Sequence, residues 1–268
     1  MASTRKSSNA ERPAAPLAAA QRLLGTLVLR GKTIAVGFSG GVDSTVLLHV
    51  LRALGPAHGY TLRAVHVHHG ISPNADAWAR FCRRLCRDWR VPLSVLRVDI
   101  GSSHGKGLEA AARDARRAAL AGVRADAVAL AHHLDDQAET VLLSLLRGAG
   151  VRGASGMPAF GRLGGKPLLR PLLDVPRAEL TRYAQSHGLE WVDDESNRDT
   201  AHARNFLRLR VAPLLEERYP RWRQALGRAA HHFSDADALL REFAGARPAS
   251  RLRIAELRSP PDRAARVL

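Results

Sequence analysis

Two stretches of this 268-residue chain combine residue types in an order that can do chemistry. The first is Ser39-Gly40-Gly41-Val42-Asp43-Ser44, which follows the apolar run Thr33-Ile34-Ala35-Val36 and precedes Thr45-Val46-Leu47-Leu48-His49-Val50-Leu51. Strand, glycine-rich turn and helix together build an anion cradle. Glycines admit a phosphate close to the backbone, and a helix N-terminus offers free N–H groups and partial positive charge. Ser39 and Ser44 add hydroxyl donors. Asp43 caps a helix well, but beside a phosphate it needs a cation, and Mg2+ carried on ATP would supply one. No Lys follows at the spacing of a Walker A loop.

The second stretch is His132-His133-Leu134-Asp135-Asp136-Gln137-Ala138-Glu139-Thr140. Asp135 suits a helix cap. Asp136 and Glu139 are three apart, so their carboxylates share one helical face, where they can hold a metal or an ammonium group. Two further groups are basic. Arg113 lies four residues after Glu109 and reads either as a surface pair or as a guanidinium clamp on a phosphate or carboxylate. Arg204, Arg208 and Arg210 read either as a solvated basic face or as contacts to a nucleic-acid backbone.

The elements that must position these groups alternate between strand and helix. Helices are expected over 17–29, 44–54, 75–89, 108–120, 135–146 and 176–187, and strands over 33–36, 62–67, 93–98 and 127–131. This alternation predicts an α/β fold with a doubly wound parallel sheet, followed by a mainly helical C-terminal segment. Ligands of such sheets sit at the strands' C-terminal ends, so the glycine loop, His66–Gly70 and His132-His133 should converge. After Gly150 the pattern is irregular up to Pro171. Residues 204–220 should be helical and basic, and helix resumes near Trp222 and stops in mid-pattern at Leu268. The expected organisation is a disordered N-terminus over 1–14, a catalytic domain over 15–220, and a helical linker with the start of a truncated domain over 221–268.

Composition narrows the partners. Lys and Arg outnumber Asp and Glu by 41 to 25, a net charge of +16, which favours a polyanion such as nucleic acid. The two cysteines, Cys82 and Cys86, fit one buried helical face and argue against a disulfide framework. No Cys-x-x-Cys is present, no apolar run reaches membrane-spanning length, and a cytoplasmic protein is expected. The sequence does not fix an oligomeric state, and a homodimer is compatible with it.

Ser39–Ser44 resembles the pyrophosphate-binding loop of the N-type ATP pyrophosphatases, which have a Rossmann-like, adenine nucleotide α-hydrolase type of sheet. Further matches run in order: His66–Ile71, Glu109–Arg116, Leu130–Gly150, Gly156-Met157, Arg170–Leu173 and Asp194–Arg210. Together they resemble the tRNA(Ile)-lysidine synthetases. The resemblance implies that ATP adenylates the 2-carbonyl oxygen of the wobble cytidine in a tRNA(Ile) with a CAU anticodon. The amine of free L-lysine then displaces AMP. It implies that Ser39, Gly40, Gly41, Val42, Asp43 and Ser44 hold the phosphates, with Mg2+ on Asp43 and His66 near the adenine. It implies that His132, Asp136 and Glu139 surround the lysine with Arg113 nearby, and that Arg204, Arg208 and Arg210 meet the tRNA. Arg117 stands where the family often has Tyr, and His68 where Asn is frequent. The alternatives are a sulfur-inserting tRNA enzyme of the same superfamily, an ammonia-using synthetase, or a non-catalytic RNA-binding module.

Overall fold

The computed structural model describes residues 14–70, 72–99, 108–194 and 199–244. The N-terminal stretch expected to be disordered lies, except for Ala14, outside them, as do residues 245–268. Along the chain run α1 (Ala15–Leu24), β1 (Thr33–Gly37), α2 (Val42–His58), β2 (Thr61–His68), α3 (Ala75–Asp88) and β3 (Leu93–Arg97). Next come α4 (Leu108–Ala121), β4 (Ala127–Ala129), α5 (Leu134–Leu146) and α6 (Val151–Ala154). The chain continues through β5 (Phe160–Leu163), β6 (Lys166–Leu169), α7 (Arg177–Ser186), α8 (Ala203–Phe206), α9 (Ala212–Arg218) and α10 (Trp222–Ala244).

The strands form one sheet in the order β3-β2-β1-β4-β6-β5, parallel except for the β5–β6 pair. The chain steps outward from β1 through β2 to β3, then returns to β4 on the other side of β1. Such a reversal opens a crevice beyond the C-terminal ends of β1 and β4. Period-two alternation splits the core between the two faces. Ile34 and Val36 of β1 pack with α1, α2, α3 and α7, while Ala35 joins Leu120 and Val123 at the end of α4. Leu47, Leu48 and Leu51 of α2 are fully buried, each contributing about 1.5–3 kcal/mol of burial, and this seats the helix carrying the glycine loop.

Four expectations about elements need correction. The first helix ends at Leu24, not Leu29, because Gly25 and the Thr26 hydroxyl bond back to the carbonyls of its last turn. Helix α2 runs past Leu54 to His58, carrying Pro56 in its last turn and closing on Gly59 at φ 70°. The irregular stretch after Gly150 contains the β5–β6 hairpin, turned by Gly164 and Gly165, both at positive φ, which suits a tight two-residue connection. The basic helix expected over 204–220 runs from Ala203 to Arg218 without a break but carries a π-helical turn over Leu207–Val211. Such turns insert one residue per turn and often mark functional sites.

Helix α10 packs on α5 with Ala138, Ala212 and Trp222 buried between. Among the described residues no helix is long and apolar enough to cross a membrane. Where α2 meets α7, His49 Nδ1 lies 3.0 Å from the Tyr183 hydroxyl, among the rings of Trp89 and His187. Burial, the nearby His187 and Arg52 hold its pKa below the ordinary range. A histidine depressed in the folded state adds stability above about pH 6.5, which is lost as pH falls through the folded value. The urea midpoint should therefore drop between about pH 7.5 and 5, and less so in His49→Asn, which keeps a nitrogen near Nδ1 but does not titrate.

Candidate active site

The glycine loop leaves β1 and enters α2. Gly40 has φ 89°, and a Cβ there would meet Cys82 Sγ at 3.0 Å and Val192 Cγ2 at 3.2 Å. Glycine is required there by the fold itself. Gly41 differs. Its φ is −71°, and a Cβ would make only ordinary contacts, the nearest at 3.5 Å with Ser39 Oγ. The chain's own packing leaves Gly41 unexplained, whereas close approach of a ligand to its backbone explains it. Gly41→Ala should melt within a few degrees of wild type and lose at least about tenfold in nucleotide affinity, read by calorimetry. Inside the loop, Ser44 Oγ donates to the Gly41 carbonyl at 3.0 Å and lies 3.1 Å from Ser39 Oγ. The amides of Val42, Asp43 and Ser44 belong to the first helical turn, where no preceding carbonyl serves them.

Two other strand ends meet this loop, as the alternation predicted, and the segment after α7 joins them. His66, from β2, is buried and donates from Nδ1 to the Phe38 carbonyl at 3.0 Å. Burial holds its pKa low, so Nε2 remains an acceptor. From the β4 end, His133 caps α5: its Nδ1 accepts from the Asp136 amide at 3.3 Å, and Asp136 Oδ2 accepts from the His133 amide at 3.2 Å. The Nε2 of His133 points towards Asp43, 3.7 Å from Oδ2. Val192, just ahead of the Asp194–Asn197 loop, donates to the Gly40 carbonyl at 3.0 Å. Glu195, Ser196, Asn197 and Arg198 lie outside the described residues.

Asp43 is ionised here. Burial pushes its pKa up, but the neighbouring His133, with the charges of Arg177 and Arg208, holds it below the usual range. Its Oδ1 is buried without a hydrogen bond, with Arg177 Nε 3.5 Å away. Asp136 and Glu139 share a face of α5, as their spacing required. Arg208, from the π-helical turn, donates from Nε to Glu139 Oε1 at 2.8 Å and from Nη2 to Glu139 Oε2 at 2.9 Å and Asp136 Oδ1 at 3.3 Å. Arg204 Nη2 donates to the Thr140 hydroxyl at 2.8 Å and its Nε lies 3.7 Å from Glu139. Glu139 is buried, and burial, with the Asp136 charge, raises its pKa against the pull of Arg208 and Arg204.

The basic residues are distributed differently from the sequence expectation. Arg204 and Arg208 face the acids of α5, and of the three only Arg210 is exposed. Arg113 is exposed on α4 and among the described residues makes no hydrogen bond or ion pair. Arg116, one turn on, is the α4 arginine whose charge bears on His69 and His132. Asp135 does not cap its own helix. Its Oδ2 accepts from the Arg177 amide at the start of α7 at 2.8 Å, and Oδ1 lies 2.7 Å from Arg223 Nε of α10. Asp135→Ala should cost about 1–3 kcal/mol, read as a lower urea midpoint, because it strands a helix-end amide and a half-buried guanidinium. Arg177 was not anticipated, and His133, Arg116 and Arg170, though inside the stretches quoted above, had been given no role of their own. For His133 the signal was its spacing to Asp136, that of a capping box.

A mostly parallel α/β sheet with a glycine-built anion cradle at its reversal point defines a nucleotide-binding fold of the Rossmann-like type. The chain belongs to the PP-loop domain family, which matches residues 16–215. It is 51% identical over 222 residues to a tRNA(Ile)-lysidine synthase from Aromatoleum aromaticum, covering 83% of this chain and 52% of that protein. It is 48% identical over 221 residues to the tRNA(Ile)-lysidine synthase of Escherichia coli O157:H7, covering 81% and 51%. The chain thus spans about half the length of the curated relatives it matches. Among solved structures, the U34-tRNA thiolase NcsA from Methanococcus maripaludis shares the fold, with a TM-score of 0.65 and 20% identity over 82% of this chain and 78% of that one.

Proposed function

We propose that this chain carries the catalytic PP-loop domain of a tRNA(Ile)-lysidine synthase, with residues 15–220 as that domain and 221–268 opening a second, tRNA-gripping region. One observation carries the reading. An anion cradle and an acid pair, its Glu139 buried, lie at the same sheet reversal, bridged by Asp43, His133 and Arg208. A nucleotide and an amine substrate need such neighbouring sites. The similarity to the two lysidine synthases supports the choice of substrates.

In this reading the amides of Val42, Asp43 and Ser44 hold the phosphates of ATP, and His66 borders the adenine. The wobble cytidine's 2-carbonyl oxygen attacks the α-phosphate and pyrophosphate leaves. The lysine amine then attacks the activated carbon and AMP leaves. Catalysis by such a site is mainly positioning and charge neutralisation. Asp136 and Glu139 anchor the ammonium, and Glu139, with its raised pKa, takes the proton that the attacking amine must lose. Arg208 holds both acids in the free chain, so the ammonium must share them with it or displace it. Arg210 faces the tRNA backbone, with Arg204 and Arg208 at the pocket's rim. Arg113, with Arg116 one turn on, clamps a carboxylate or phosphate of the substrates.

Magnesium fits one feature of the site. Asp43 Oδ1 is buried, anionic and without a hydrogen bond beside the cradle, so it suits a cation shared with phosphate oxygens. Among the described residues no cluster of three or more His, Cys, Asp or Glu side chains could hold a metal. Asp43 would therefore hold it with the nucleotide, where it neutralises phosphate charge.

The thiolation alternative is disfavoured by the cysteines, since burial pushes the Cys82 and Cys86 thiols up to about 12. The deciding assay mixes the chain with ATP, lysine and a tRNA(Ile) bearing a CAU anticodon. Lysine-dependent release of AMP is expected. Equal AMP release without lysine, or none with it, would overturn the reading.

A further inference from the structure

Arg170 directly follows β6 and is buried. Its strand lies beside β4, with Leu169 opposite Ala129, so the residues leaving the two strands emerge side by side. The Arg170 guanidinium donates from Nη1 to the Pro158 carbonyl at 2.7 Å and from Nε to His132 Nδ1 at 3.2 Å. A guanidinium has five N–H donors, no acceptor, and does not lose its proton in proteins. The bond to His132 therefore exists only when Nδ1 presents its lone pair. A neutral imidazole has a single N–H, which must then sit on Nε2. Among the described residues Arg170 is the ring's only hydrogen-bond partner, which leaves Nε2–H for a ligand.

We propose that Arg170 is a positioning residue that locks His132 as a pure hydrogen-bond donor towards an anionic oxygen of the substrates, and so removes His132 as the base for the attacking amine. The inference deepens the lysidine synthase reading and, for the identity of the oxygen, rests on it. The surroundings agree. Burial, with the charges of Arg170, Arg116 and Arg204, outweighs the pull of Asp136 and drives the ring down to about 4. A neutral donor bonded to Arg170, in the positive field of Arg116 and Arg204, suits a carboxylate or phosphate oxygen. The amine's proton is then left to the acids of α5. Two sources of that oxygen exist, the carboxylate of the amino acid and the phosphate of the adenylate.

The state of the ring is read directly by long-range proton–nitrogen correlation NMR on the 268-residue chain, with His132→Gln assigning the signals. One tautomer, bare at Nδ1 and protonated at Nε2, is expected from about pH 6 to 8. In Arg170→Met the two tautomers should mix and the titration midpoint should rise from about 4 towards the ordinary value of about 6.5. A proton on Nδ1 in the wild type, or a folded Arg170→Met whose ring is unaltered, overturns the proposal. Should Arg170→Met fail to fold, the wild-type spectrum still decides.

Activity adds an independent arm. The Gln amide nitrogen reaches the place of Nε2 and that of Asn the place of Nδ1. His132→Gln should stay within about tenfold of wild type, while His132→Asn, with its donor displaced, should lose about a hundredfold. The reverse order sinks the proposal. Loss confined to the KM for lysine assigns the oxygen to the amino acid, and loss in adenylation assigns it to the phosphate. Because the spectrum needs neither lysine nor tRNA, a locked ring in a chain that makes no lysidine would refute the functional reading alone.

Discussion

Asp43→Ala is expected to reduce pyrophosphate release by at least about a thousandfold while the chain still folds. The two halves of that expectation have different causes. Asp43 is the first-turn carboxylate of α2, beside the cradle, and its Oδ1 is buried with no hydrogen bond. The carboxylate's ion pairs are long, 3.7 Å to His133 and 3.5 Å to Arg177, so removing the side chain should weaken the fold only a little. Its neighbours keep other support. His133 Nε2 lies 3.4 Å from Asp136, and the Arg177 side chain is 43% exposed and can turn to water. The melting midpoint should therefore stay within a few degrees of wild type. What is lost is the anionic oxygen that offsets positive charge beside the phosphates. Asp43→Asn keeps the shape and removes the charge, and it should be nearly as inactive. A thousandfold loss in Ala but not in Asn would assign the role to shape. Unchanged turnover in both would take Asp43 out of the chemistry.

Much of this site could be read from the chain because its parts are local. The glycine loop, its strand and its helix are contiguous, and the same holds for the acids of α5 and the strand before them. Their convergence followed from one topological rule, that ligands sit where strand order reverses. What could not be read depends on distant partners. Asp135 has the residue type and place of a cap, yet it serves the Arg177 amide 42 residues on. Arg208 belongs to a run that reads as a basic face, and only the packing of the π-helical turn against α5 turns it onto Glu139, 69 residues earlier. The tautomer of His132 is set by Arg170, 38 residues away just past the end of the neighbouring strand. The hairpin was missed for another reason. Strands of four residues broken by Gly161, Gly164 and Gly165 carry too little periodicity to separate from a loop.

Glu139→Gln should separate the two half-reactions. Lysine transfer is expected to fall about 10²–10⁴-fold, the range for loss of a general base. Pyrophosphate release should stay within about tenfold, because Glu139 belongs to the amine pocket and not to the cradle. The raised pKa gives the pH dependence its sign. A carboxyl whose folded pKa lies above the ordinary value acts as a base only once deprotonated, so the wild-type transfer rate climbs as pH rises through that value. The Gln variant should lose this limb. One complication comes from Arg208, which in the variant keeps only Asp136 as an anionic partner, at 3.3 Å. Leaving its guanidinium half-paired should cost about 1–3 kcal/mol of stability. The double variant Glu139→Gln with Arg208→Met removes the stranded charge. It should regain most of that stability without regaining transfer. If transfer returned with stability, Glu139 would be a structural partner of Arg208 and no more. Equal losses in both half-reactions would take Glu139 out of the amine pocket.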